Sequence, residues 1–194
     1  SENPKGTHTM INPEIPSAWR KDIEVMFSSD DLQTRIETLA QAISTEYQEN
    51  TELCVVGILK GSVPFLADLI KCLELPLHVE FMGISSYGDD TKSSGVVQIT
   101  SDLTKSIEGK DVLIVEDIVD TGHTLSQVQK ILLTRSPKSL SICTLLNKPS
   151  RREVEVDVNW VGFDIPDAFV IGYGIDYAQQ GRNLPHIGVV KTTS

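Results

Sequence analysis

The stretch Val112-Leu113-Ile114-Val115-Glu116-Asp117-Ile118-Val119-Asp120-Thr121-Gly122-His123-Thr124 constrains this chain more than any other. Four apolar residues read as a strand buried on both faces, as in a parallel sheet. Two adjacent carboxylates end the run, and acids at the carboxyl end of such a strand lie where open α/β sheets bind ligands. A third carboxylate, Asp120, precedes the small hydroxyl-rich turn Thr121–Thr124, which leads into a helical pattern. Hydroxyls and backbone N–H groups at a helix N-terminus suit an anion. Acids beside a phosphate cradle point to a phosphorylated, hydroxyl-bearing ligand held with a divalent metal. A lone Asp-x-x-Asp-x-Gly is also an ordinary turn after a strand; the length of the whole pattern gives it weight.

The rest of the chain repeats the strand–helix alternation. Ser28-Ser29-Asp30-Asp31 reads as a helix start, and Leu32, Ile36, Leu39, Ala40, Ile43 and Tyr47 follow at helical spacing. Strands are expected over Leu53–Leu59, Leu77–Ser85, Val112–Val115, Ser139–Leu146 and Phe169–Tyr173, and helices over Val63–Leu73 and Leu125–Leu133. This order implies an α/β fold with a mostly parallel, Rossmann-like sheet flanked by helices. Ser86–Asp102 is polar, carries Gly88 and Gly95, and reads as either a disordered segment or a lid.

A chain of 194 residues fits one domain, here 10–194, with a small appended lobe. Ser1–Thr9 show no periodicity and are set apart as a tail before Met10. The net charge of −10 argues against nucleic acid as the main partner, since phosphate backbones need clustered Lys and Arg. Cys54, Cys72 and Cys143 lie in apolar surroundings without metal-ligand spacing, as free thiols of a reducing cytosol do. No run reaches transmembrane length and no signal peptide is visible, so a cytoplasmic protein without a membrane partner is expected.

The thirteen-residue pattern resembles the ribose-pyrophosphate signature of the type I phosphoribosyltransferases. Two flanking elements, Leu59-Lys60-Gly61-Ser62 and the DY-x4-RNLP run from Asp176 to Pro185, narrow the resemblance to the hypoxanthine-guanine enzymes, over about Phe27 to Lys191. The resemblance implies the family fold with a small hood, built from the N-terminal segment and about 154–165, and a mobile lid at about 86–102. It implies Mg²⁺ as cofactor, with Glu116, Asp117 and Asp176 as metal contacts, and the first two also facing the ribose hydroxyls. Asp120 is then the general base that takes the N7 proton of the purine. Thr121, Gly122, His123 and Thr124 cradle the 5′-phosphate, although many relatives carry Lys where this chain has His123.

Lys60 and Gly61 fall in the pyrophosphate loop, whose Leu-Lys peptide can be cis in the family, and Ser86 and Tyr87 open the lid. Lys148 donates to O6 of a 6-oxopurine, Phe169 stacks on the base, Val170 meets its edge by backbone, and Arg182 reaches the pyrophosphate. The implied reaction converts phosphoribosyl pyrophosphate and hypoxanthine or guanine into IMP or GMP and pyrophosphate, in a homodimer or homotetramer. Two competitors stay open from the residues alone. A xanthine-preferring enzyme is compatible with Lys148, and a non-catalytic regulatory protein on the same fold is opposed by the acidic charge and by Asp120.

Overall fold

The computed structural model describes residues 23–48, 51–86 and 96–191. Its frame is a six-stranded sheet in the order β4-β3-β2-β5-β6-β7: β2 Leu53–Leu59, β3 Leu77–Ser86, β4 Val97–Ser101, β5 Asp111–Val119, β6 Ser139–Asn147 and β7 Trp160–Asp164. All neighbours pair in parallel except β3 with β4. The central strand alternates between two cores. Leu113 and Val115 face α1 (Ser29–Glu46) and α2 (Val63–Cys72), against Leu32, Ile36, Phe65 and Leu69. Val112 and Ile114 face α3 (His123–Leu133), against Leu125, Val128 and Leu132. Burial on both faces explains why Val112–Val115 within β5 is an unbroken apolar run.

Local signals set the helix ends. The Ser28 hydroxyl accepts from the Asp31 N–H at 3.1 Å, and the Asp31 carboxylate accepts from the Ser28 N–H at 2.9 Å. This reciprocal cap fixes where α1 begins, and it holds the Asp31 carboxyl below its ordinary value. Pro64 occupies the first turn of α2, where its missing N–H costs nothing. Among the described residues no helix is long and apolar enough to cross a membrane.

The expected elements are present with instructive differences. β5 does not stop at Val115. Its ladder with β6 runs on through Glu116↔Thr144, Ile118↔Leu146 and Val119↔Asn147, so both acids sit within the strand. Apolar Ile118 and Val119 let the alternation resume after them. The expected strand Phe169–Tyr173 shrinks to β8, Val170–Ile171, because Gly172 and Tyr173 take φ of 106° and 49° and turn the chain. Of the stretch 154–165 assigned to the hood, Trp160–Asp164 instead pairs with β6 at the edge of the large sheet. A separate three-stranded antiparallel sheet joins β1 (Ile23–Phe27), β9 (Ile187–Val190) and β8. Within the expected lid, Val97–Ser101 is a strand paired with β3; Tyr87, Gly88 and Gly95 lie outside the described residues, as does the 1–9 tail.

Candidate active site

The carboxyl end of β5 buries charge. Glu116 is 8% exposed, and its Oε1 accepts from the Asp117 N–H at 3.0 Å. Asp117 Oδ1 accepts from the Ile118 N–H at 2.7 Å. Burial, and then the neighbouring Asp117 carboxylate, push the Glu116 carboxyl well above the ordinary glutamate range. Burial also raises Asp117, opposed by hydrogen bonds and by the more distant Arg182 guanidinium. Two adjacent acids that resist ionisation form a site that a cation would complete.

Strand β2 brings its own end to the same place. The Leu59–Lys60 peptide is cis, and Gly61 lies so close to Asp117 that a Cβ would overlap the carboxylate. Glycine is therefore required here for the approach of backbone to acid. The Lys60 side chain is exposed, while Gly61 and Ser62 are buried, the latter donating from Oγ to the Ile58 carbonyl at 2.6 Å.

Beyond β5 the chain turns over Asp120–Gly122 into α3, so the hydroxyl-rich turn coincides with a helix N-terminus. Gly122 has φ of 89° and no room for a Cβ against the Val154 carbonyl. Asp120 is half exposed and accepts from Arg151 Nε at 3.1 Å. His123 Nε2 lies 2.7 Å from Glu153 Oε2, so its partner in this structure is a carboxylate.

A second loop, 172–184, closes the opposite side. Arg182 donates from Nη1 to the Gly174 carbonyl at 2.8 Å and lies 3.4 Å from Asp176 Oδ1. Asp176 Oδ2 accepts from the Gln179 N–H at 2.8 Å. Gln179 Oε1 accepts from both Arg182 Nη2 at 3.2 Å and Lys60 Nζ at 3.4 Å. One oxygen thus draws together the two cations that the sequence assigned to pyrophosphate. Gly174, at φ 96°, is pressed against the Gly61 carbonyl, and Tyr173 Oη donates to Asp68 on α2. Burial, and then the Asp68 contact, push the Tyr173 phenol far up.

Lys148 follows β6. It is 8% exposed, with Nζ 3.6 Å from Asp167 Oδ1, and its N–H donates to the Val119 carbonyl at 2.9 Å. Phe169 is 49% exposed and meets Tyr177 edge to face at 5.1 Å. A half-exposed phenylalanine beside a buried strand leaves apolar area open for a planar ligand. Val170 is buried and pairs with Val189. Ser86, the other expected lid residue, ends β3 opposite Val97 and is exposed.

These contacts bring Lys60, Gly61, Asp117, Asp176 and Arg182 into one chain of neighbours, with Asp120–Thr124 and Lys148 on the adjoining strand ends. Asp176 does not join the other two acids as a cage: among the described residues no three His, Cys, Asp or Glu side chains converge as a metal site. Sequence reasoning missed Arg151, Arg152, Glu153 and Gln179. Two basic residues beside an acid read as a solvated surface, and only the β5–β6 adjacency places them against the Asp120 turn.

The model of the phosphoribosyl transferase domain matches residues 28–178. A hypoxanthine phosphoribosyltransferase of Haemophilus influenzae is 55% identical over 170 residues, 87% of this chain and 95% of the relative. A hypoxanthine-guanine phosphoribosyltransferase of Bacillus subtilis is 49% identical over 173 residues, 89% of this chain and 96% of the relative. The crystal structure of a Staphylococcus aureus hypoxanthine phosphoribosyltransferase superposes with a TM-score of 0.86 at 46% identity, covering 92% of this chain and 97% of that one.

Proposed function

This chain belongs to the phosphoribosyltransferase family, and from that premise we propose its reaction and the part each side chain plays. It is a purine-salvage enzyme that transfers the 5-phosphoribosyl group of phosphoribosyl pyrophosphate to hypoxanthine or guanine, giving IMP or GMP and pyrophosphate. The bond from ribose C1′ to the pyrophosphate oxygen breaks, the bond from C1′ to the purine nitrogen forms, and the purine loses a proton. The single observation that carries this reading is the buried Glu116 beside a half-buried Asp117, closely approached by the Gly61 backbone and followed by the Asp120 turn.

Glu116 and Asp117 face the ribose hydroxyls. The family is generally Mg²⁺-dependent, and the residues fit that ion. Carboxylates are hard oxygen donors, Mg²⁺ takes one or two of them with water and substrate phosphates, and burial has left this pair short of a counter-charge. When bound, the ion neutralises charge on the leaving pyrophosphate. Lys60 and Arg182, already sharing the Gln179 oxygen, grip the same group. Thr121, Gly122, His123 and Thr124 receive the 5′-phosphate through N–H groups and hydroxyls at the start of α3.

Asp120 takes the N7 proton. It is half exposed and lies on the turn, so a bound base can reach it. Lys148 donates to O6; an ammonium has donors and no acceptor, so the amino group of adenine leaves it unpaired. Phe169 stacks on the purine ring, and the Val170 backbone meets its edge. Ser86 and Tyr87 open a lid that keeps water from the activated sugar. A turnover assay with hypoxanthine, guanine, xanthine and adenine tests the reading. IMP and GMP form from the first two, and predominant use of either other base contradicts it.

A further inference from the structure

Where the β5–β6 ladder ends at Val119↔Asn147, the carbonyls of the substrate turn lose their strand partner. Those of Val119, Asp120 and Thr121 are nonetheless satisfied, in order, by the segment that follows β6. The Val119 carbonyl accepts from the Lys148 N–H at 2.9 Å. The Asp120 carbonyl accepts from Arg152 Nη1 at 3.3 Å. The Thr121 carbonyl accepts from the N–H groups of Glu153 and Val154, at 2.9 and 3.0 Å. Only one of these donors is a side chain. The Arg152 guanidinium is anchored in turn by Nη2 on the Asn147 side-chain oxygen, and Asn147 Nδ2 donates to Asp164 Oδ1 at 2.8 Å. Its stem lies under the turn, with Cδ 3.2 Å from where a Cβ on Gly122 would stand.

In a trans peptide C=O and N–H point opposite ways. A carbonyl of Asp120 turned toward Arg152 therefore aims the Thr121 N–H away from it, to the far side of the turn. The Asp120 side chain leaves the backbone at the same residue. We propose that Arg152 is a positioning residue of the transfer reaction: by fixing the Asp120–Thr121 peptide it aims the phosphate-binding N–H and the general base together. This rests on the assignment of Asp120–Thr124 given above. Arg152 touches neither substrate nor reacting atoms. The planar guanidinium, with separate donors for Asp120 and Asn147, suits the task where a single ammonium does not.

The test is Arg152→Met, which keeps the stem and removes the donors, assayed beside wild type, Asp120→Asn and the double variant. A misaimed turn lowers kcat/KM for phosphoribosyl pyrophosphate on the order of 10²-fold, with the KM for hypoxanthine within about twofold of wild type. IMP affinity falls as well, because its phosphate uses the same donor. In the Asp120→Asn background the kcat penalty of Arg152→Met shrinks, since the group it aims is gone. Unchanged kinetics, or equal losses for both substrates that follow the loss of Tm and add fully to Asp120→Asn, overturn the proposal. Wild-type turnover in the same assay keeps its failure distinct from that of the underlying reading. Should circular dichroism show Arg152→Met unfolded, Asn147→Ala is read instead, since it frees the guanidinium from its anchor. The same selective fall in kcat/KM for phosphoribosyl pyrophosphate supports the proposal there, and an unchanged kcat/KM overturns it.

Discussion

The two loops that complete the site are shaped by opposite means. The Asp120–Thr124 turn is set by regular structure before and after it, the β5 ladder and α3, and by hydrogen bonds to the strip after β6 beside it. The loop 172–184 has little regular structure. It follows a two-residue strand, carries isolated bridges Gly172↔Ile175 and Tyr177↔Gln180, and places Tyr173, Ala178 and Gln179 at φ of 49°, 49° and 67°. Its shape comes from docking, with Gly174 on Gly61, Tyr173 on Asp68, and Gln179 between Lys60 and Arg182. A turn built into the sheet can hold a group that must meet a proton at hydrogen-bond distance. A docked loop can bring charge to a leaving group while staying separable from the core.

That contrast is open to attack. Asp120→Asn strikes the built-in turn at its chemistry. The expected outcome is a kcat loss of about 10²- to 10⁴-fold with IMP affinity kept, measured by steady-state kinetics and calorimetry; near-normal kcat removes Asp120 from the mechanism. Gly174→Ala strikes the docked loop where φ is 96° and a Cβ meets the Gly61 carbonyl. Here kcat/KM for phosphoribosyl pyrophosphate falls on the order of 10²-fold by displacement of Lys60 and Arg182. Hypoxanthine KM changes little. Equal effects on both substrates would show that the loop is part of the core after all.

Lys148→Ala tests the base side. Removing one charge-assisted donor lowers kcat/KM for hypoxanthine and guanine about 10- to 100-fold, with no matching loss for adenine. A uniform loss across bases assigns Lys148 to structure, through its contact with Asp167.

The smallest effect concerns pH and the acids between the loops. Burial raises the folded values of Glu116 and Asp117 above the unfolded ones. Such groups contribute stability that is complete below the ordinary carboxylate range and is lost as pH rises through the folded values. In the ligand-free protein the Tm advantage of Glu116→Gln over wild type should grow by a few degrees between about pH 5 and pH 8. A constant difference across that range would mean that burial does not perturb the pair.

The sheet was readable because its strands are apolar on both faces: β2 and β6 declare themselves as runs such as Leu53–Leu59 and Ser139–Leu146. The substrate turn was readable because three acids, a glycine and hydroxyls lie within a few residues of one strand. The extent of β5 was not, since Glu116 and Asp117 look like an end although the ladder runs through them. The small sheet was hidden because β8 is too short for any period and because β1 and β9, which pair with each other, lie far apart in the chain. Arg152 was hidden for another reason: it reaches the turn through the Asp120 main-chain carbonyl, which no side-chain pattern records.

The claim on which all of this depends is that the acids within β5 hold the activated sugar. Calorimetric titration of phosphoribosyl pyrophosphate with Mg²⁺ present, into wild type and into a Glu116→Gln, Asp117→Asn variant, addresses it directly. The account predicts a clear binding isotherm for the wild type and its loss in a variant that still folds. Equal binding by both proteins would contradict it.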